Sequence, residues 1–202
     1  MTLWRGKEPL VLASQSKARQ SLLANAGIEF ESDPAEIDER AIQESSGLSA
    51  PGEVAGLLAR EKARAVSGRR HEHYVVGADQ TLALGTRIFN KPAGRAQAAD
   101  QLRALSGRCH ELHSAIAVAR DGKLLFEHVS VARMTLRSLS EAEIDSYLEE
   151  AGSAVTSSVG AYQLEGLGVH LFERIEGDHF TILGLPLLPL LVFLRREHLL
   201  GI

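Results

Sequence analysis

One cysteine, Cys109, is all the chain contains. No intrachain disulfide can form, and zinc or iron–sulfur sites built on several cysteines are excluded. Long apolar runs are also missing. The longest, Ile182 to Leu194, is too short to span a bilayer and is broken by Gly184, Pro186 and Pro189. Near the start, Arg5 and Lys7 precede only four apolar residues, Leu10 to Ala13, which does not read as a signal peptide. There is no excess of positive charge: 22 Lys and Arg stand against 26 Asp and Glu, a net charge of -4. Nothing in this balance suggests a general polyanion binder, and any phosphate site has to be a local cluster of Arg and Lys. A soluble cytoplasmic protein is expected, with neither a nucleic-acid polymer nor a membrane as partner.

Familiar catalytic signatures are absent as well. There is no G-x-x-x-x-G-K-[ST] loop and no strand-linked G-x-G-x-x-G. Without a G-x-S-x-G elbow a serine hydrolase fits poorly. The histidines of His110-Glu111-Leu112-His113 are three apart, unlike the H-E-x-x-H of a zinc helix. His71 and His73 flank Glu72 in a polar loop and read as solvated.

What is present is enough apolar material for a sizeable core. The 202 residues are 45% hydrophobic, which suits one domain over 1–202, with or without a smaller lobe. The organising stretch is Tyr74 to Pro92. Tyr74-Val75-Val76 reads as a buried strand that runs out at Gly77-Ala78 and delivers Asp79, before a second apolar run and a Gly85-Thr86 turn. Asp79 reads either as the cap of a turn or as a carboxylate at a strand end, where α/β proteins place chemistry.

Upstream, Leu10 to Ala13 reads as a first strand, Ser14-Gln15-Ser16 as a polar turn, and Lys17 to Ala26 as a helix capped by Ser16 and stopped by Gly27. That helix start suits an anion. Arg19, in its first turn, opposes the helix dipole, a misfit that an anionic ligand would resolve; an ordinary capped surface helix is the other reading. Ile28 to Ser32 reads as a strand. Asp33 to Arg40 is an acidic, loop-like run, either solvated or a source of carboxylates for a hard cation. After a turn at Ser49 to Gly52, Glu53 to Val66 reads as an amphipathic helix, on which Lys62 taken alone is a solvated lysine. Gly94 to Leu105 is a further helix. Glu111 to Ala119 and Leu124 to Leu136 flank an Asp121-Gly122 hairpin signal. Ser140 to Glu143 matches a capping box opening a helix to about Glu150. Gly160 to Gly168 reads as loop, Val169 to Ile175 as strand, and Gly184-Leu185-Pro186 as the start of a last helix ending at Arg195-Arg196.

Taken in order, several pieces resemble the Maf family of nucleotide pyrophosphatases: Leu12 to Ser16 with Arg19 and Leu22-Leu23, Glu61-Lys62-Ala63, Gly77-Ala78-Asp79, and Lys91-Pro92. Leu105-Ser106-Gly107 with His110, Gly160-Ala161-Tyr162, and Ile175 to Asp178 with Gly184 to Leu187 complete the set. The resemblance spans nearly the whole chain. It implies an α/β fold with an elongated mixed β-sheet flanked by helices, and two lobes with a nucleotide cleft between them. It also implies hydrolysis of a nucleoside triphosphate to monophosphate and pyrophosphate, with a divalent metal, magnesium, and a homodimer. Carried over by position, Asp79 is the proton acceptor. Ser14, Arg19, Lys62 and Lys91 are phosphate-site residues, and Glu39 with Asp79 lies near the metal.

Elementary chemistry agrees: such hydrolysis needs an activated water and fixed cations on the triphosphate. The chain departs from the family pattern at Ala18, where an arginine is usual, and at Ser158, where a lysine is usual. Gln80 replaces a usual threonine and Glu165 a usual glutamine. Gln80, Glu165 and Ala18 are therefore the candidate specificity residues, and the Gln80–Glu165 pair resembles the 7-methyl-GTP pyrophosphatase branch. Glu165 also reads as an exposed loop glutamate. Two rivals remain: a catalytically weak nucleotide-binding regulator of cell division, and a pyrophosphatase preferring dTTP or UTP.

Overall fold

A computed structural model describes residues 3–201. In chain order the elements are β1 (Leu10–Leu12), α1 (Lys17–Asn25), β2 (Phe30–Ser32), α2 (Glu39–Ser46), α3 (Pro51–Ser67), β3 (Val75–Leu84) and β4 (Arg87–Phe89). There follow α4 (Arg95–Leu105), β5 (Cys109–Arg120), β6 (Lys123–Leu136), α5 (Glu141–Ala151), β7 (Phe172–Glu176), α6 (His179–Ile182) and α7 (Leu187–Arg196). Short 3₁₀ turns occupy Gly152–Thr156, Val159–Ala161 and Leu167–Leu171. The strands form a seven-stranded mixed sheet in the order β2-β1-β3-β5-β6-β7, with β4 paired to β3. β1 runs parallel to both β2 and β3, whereas β4 is antiparallel to β3 and β7 to β6. The chain is an α/β protein.

It divides into two compact units. The first comprises Met1–Gln80, Ser114–Ser130 and His179–Ile202; the second Thr81–His113 and Val131–Asp178. In the first, strand alternation sorts buried residues onto the two faces of the sheet. Ile116 and Val118 of β5 join Leu12, Val76 and Ala78 against Leu22 and Leu23 of α1 and Leu190, Phe193 and Leu194 of α7. The intervening Ala115, Ala117 and Ala119 face the other way, onto Ala55, Ala59 and Ala63 of α3. In the second unit, Leu102 and Leu105 of α4 and Ile144 and Leu148 of α5 are buried, with α4 packed on α5. Its capping box at Ser140 and Glu143 forms as the sequence expects.

Several expectations change. β3 does not run out at Gly77; it continues to Leu84, so Asp79 lies inside the strand. The acidic run is loop only as far as Asp38, whose side chain accepts from the Ala41 N–H and starts α2. α3 begins at Pro51, because proline suits the first helical position. The strand expected from Val169 begins at Phe172, after a 3₁₀ turn. Pro186 caps the last helix rather than opening it. The Asp121-Gly122 hairpin stands: both residues have positive φ, 50° and 76°, as a type I′ turn requires.

Candidate active site

The strand order places β1 between β2 and β3, so successive crossovers leave β1 on opposite sides. Such a switch point opens a crevice beyond the carboxyl ends of the strands. Ser14 sits there, just after β1, and α1 starts three residues later. Ser14 is buried, and its hydroxyl accepts from the Ser16 N–H (3.3 Å) and from Arg19 Nη1 (3.2 Å). Ser16 caps α1 by accepting from the Arg19 N–H, and no acidic residue occupies the first turn. The guanidinium of Arg19 also donates through Nη1 to the Ala78 carbonyl (2.9 Å) and through Nε to the Gly184 carbonyl (2.8 Å). Burial lowers its pKa, while Asp79 and Glu39 raise it. Arg19 is thus a fixed side chain of known aim, not a surface arginine.

Gly77 explains how Asp79 reaches its place. A Cβ there would stand 2.1 Å from the Ala59 carbonyl oxygen and 2.6 Å from the Ala63 nitrogen. Only a glycine lets β3 lie this close to the α3 backbone. Asp79, two residues on, projects from the same face. There Lys62 of α3 donates to Asp79 Oδ1 at 2.6 Å and pairs with Glu39 Oε1 at 2.8 Å. The Lys62 and Asp79 side chains are about one-tenth exposed, the Glu39 side chain about half. Lys62 is therefore not a solvated lysine. It lies on the stripe of Leu58, Ala59, Ala63 and Val66, so helical periodicity carries it inward with its apolar neighbours. The signal is in the sequence itself: a lysine set inside an apolar stripe.

Burial raises the Asp79 pKa, and the cations of Lys62 and Arg19 only partly oppose it. The result is a carboxylate more basic than usual, held among cations. Asp79 and Glu39 supply hard oxygen donors on either side of one ammonium. Among the described residues no group of three or more His, Cys, Asp or Glu is placed to hold a metal ion. Magnesium is commonly held by one or two carboxylates plus substrate phosphates rather than by a closed protein cage. The donor set fits that mode.

The other candidates fall elsewhere. Ala18 lies half-buried in α1, beside Arg19. Gln80 projects from the face of β3 opposite Asp79, and its amide nitrogen lies within bonding distance of Ser114 Oγ and the Thr181 and Ile182 carbonyls. Lys91 and Glu165 belong to the second unit, and both are exposed. Ser158 donates its hydroxyl to the Tyr162 carbonyl of its own turn. His110, a poor metal candidate by its spacing, is buried and bonds Tyr162 Oη through Nε2 at 2.7 Å. Gly77, Ser114, Thr181 and Gly184 surround these candidates; the sequence reads Gly77 as a strand end and Gly184 as a helix start, and gives Ser114 and Thr181 no part. The four-residue spacing of Ala55, Ala59 and Ala63 could have pointed to Gly77; nothing local marks Ser114.

A family model described as Maf-like protein matches residues 9–197. The chain belongs to the Maf-like family. Over its full length this Maf-like chain is 69% identical to a Bradyrhizobium diazoefficiens protein, also covered in full, named nucleoside triphosphate pyrophosphatase. It is 56% identical, over 93% of its length and 95% of the relative, to a Rhizobium etli protein named 7-methyl-GTP pyrophosphatase. Among solved structures, a Mycobacterium abscessus nucleoside-triphosphatase / dITP/XTP pyrophosphatase shares 17% identity at a TM-score of 0.43, over 95% of this chain and 97% of that one. No helix among the described residues is long and apolar enough to cross a membrane.

Proposed function

We propose that this Maf-like chain hydrolyses a nucleoside triphosphate at the α-phosphate, giving the monophosphate and pyrophosphate. The observation that carries the reading is Asp79, a buried carboxylate of raised pKa beside Arg19 and Lys62. The name of the full-length relative at 69% identity supports it.

Asp79 takes a proton from water as the water oxygen bonds to the α-phosphorus. The bond from that phosphorus to the bridging oxygen breaks, and pyrophosphate leaves with the electron pair. A basic carboxylate suits the task, because a general base works best with a pKa near the working pH. Arg19 offers a planar fork to phosphate oxygens, and Lys62 and Lys91 act as point charges. An arriving polyphosphate competes with Asp79 and Glu39 for the Lys62 ammonium. As Lys62 turns toward phosphate, its lowering of the Asp79 pKa weakens and the base strengthens. Asp79 and Glu39 would hold a divalent cation, magnesium by the donor set, which supplies neutralisation of the phosphate oxygens.

The proposed substrate is a modified guanine nucleotide, 7-methyl-GTP. Glu165 would accept from the N–H groups of the guanine edge, and its charge favours a base carrying positive charge. Ala18 departs from the 7-methyl-GTP branch, where a large side chain is usual, and the smaller residue would loosen base selection. The name of the relative at 56% identity supports this choice. A site built on such a polar contact discriminates by several powers of ten, ~10⁴ or more. The test compares kcat/KM for 7-methyl-GTP, GTP, UTP and dTTP in the parent and in Glu165→Gln. A lead for 7-methyl-GTP that collapses in the variant is expected. A parent preferring UTP or dTTP, or a lead unchanged in Glu165→Gln, removes Glu165 from this role. Absence of pyrophosphate release from every nucleotide would leave a nucleotide-binding regulator as the reading.

A further inference from the structure

The turn that aims Arg19 is short. α6 has four residues, too few to be stable alone, since isolated helices below ~12 residues are marginal. It ends in a Schellman motif: the Leu185 N–H donates to the Phe180 carbonyl and the Gly184 N–H to the Thr181 carbonyl, both at 3.1 Å. Gly184 takes the left-handed conformation such an end requires, with φ +85°. It stands against the guanidinium: a Cβ there would lie 3.3 Å from Arg19 Nε and 3.3 Å from Nη2. Its carbonyl receives the Arg19 Nε–H.

The same turn is gripped from inside. Gln80 Nε2 lies 3.1 Å from the Thr181 carbonyl oxygen and 3.0 Å from that of Ile182. Ser114 Oγ of β5 donates to the Thr181 carbonyl at 2.7 Å and lies 2.8 Å from Gln80 Nε2. Ser114 and Thr181 are fully buried. The Thr181 carbonyl already accepts from the Gly184 N–H; the two side chains add further bonds to it, and Gln80 adds one to the Ile182 carbonyl, a helix-end acceptor. These two side chains, from neighbouring strands, therefore fix where the turn sits.

We infer that Gln80 and Ser114 are positioning residues for Arg19, acting through the Thr181–Gly184 turn. The inference rests on the reading of Arg19 as a phosphate-binding side chain. It gives Gln80 a different part from direct base selection. Its amide nitrogen is engaged inside the protein, so its loss should weaken every triphosphate alike, without preference among bases.

The test uses the full chain with magnesium, as Gln80→Leu and Ser114→Ala, each melted to confirm folding. If Gln80→Leu fails to fold, Ser114→Ala carries the test alone. Exchange of the Arg19 Nε–H with solvent is followed by NMR, and kcat/KM is measured for 7-methyl-GTP, GTP, UTP and dTTP. We expect Nε–H exchange to quicken and kcat/KM to fall by about tenfold for all four nucleotides. In an Arg19→Ala background the same changes should cost little more, because residues acting through one another are non-additive. Unchanged Nε–H exchange in the folded variants overturns the inference. So does a loss confined to one base, or a full penalty persisting beside Arg19→Ala. If Arg19→Ala hydrolyses at the parent rate while the Nε–H still responds to Gln80→Leu, Arg19 loses its phosphate role but its positioning by Gln80 stands.

Discussion

Asp79 is a carboxyl group whose ionised form is poorly served by its surroundings. Burial raises its pKa, and Lys62 and Arg19 oppose the rise without cancelling it. A base must be deprotonated to act, so hydrolysis should fail as pH falls through this raised pKa. The acid limb of a kcat/KM profile is expected above the ordinary Asp value of about 3.9. Lys62→Met removes a cation that lowers the Asp79 pKa, so the limb should move further toward neutral pH. An unmoved limb in a folded Lys62→Met protein would show that the pair does not set the base. Asp79→Asn keeps size and removes basicity; general-base catalysis contributes about 10²–10⁴-fold, and turnover should drop by at least that. Thermal melting should show Asp79→Asn still folded, because its desolvated charge is gone and Lys62 keeps Glu39 as a partner. Near-parent turnover by the folded variant would end the assignment.

At the scale of elements, the site depends on how closely β3 lies on α3. Gly77 makes that approach, and what a side chain would meet there is backbone, which cannot rotate away. Gly77→Ala should therefore push strand and helix apart. Overpacking costs about 1–3 kcal/mol, so a lower melting temperature is expected. Hydrolysis should fall more than the melting shift alone explains, because the separation also pulls Lys62 from Asp79. Gly85→Ala, at a turn where a Cβ meets nothing within 4 Å, provides the contrast. Its φ of +62° still strains an alanine, so some stability is lost, but turnover per folded molecule should hold. Equal losses of turnover in both variants would argue that Gly77 has no special bearing on the site.

For the whole molecule, the pH dependence of stability turns on His110. Burial pushes its pKa down to about 4, and a backbone hydrogen bond at Arg108 only partly opposes the shift. An unfolded histidine titrates near 6.5, so protons favour the unfolded chain. Stability contributed by neutral His110 is present above about pH 6.5 and is lost as pH falls toward 4. The loss is on the order of 3 kcal/mol. His110→Gln, which cannot titrate, should flatten the stability curve across that window in denaturant melts; an equal slope would clear His110. The burial behind this shift comes from Tyr162 and Phe172, 52 and 62 residues further along the chain. No local pattern around His110 announces it. The same division runs through the protein. Short-period patterns encode local elements, and so the sequence by itself determined α1 with its Ser16 cap, the Asp121-Gly122 hairpin, the Ser140 capping box and the α/β class. Its ordered motifs also determined family membership, with Asp79 and Arg19 as residues to watch. Only the tertiary structure decided that β3 passes through Gly77, that Lys62 joins Asp79 to Glu39, and that Gln80 and Ser114 hold the turn behind Arg19. Those contacts join residues 17, 101 and 165 positions apart. They exist because faces of separate elements pack together, and a one-dimensional pattern carries the face but not its partner.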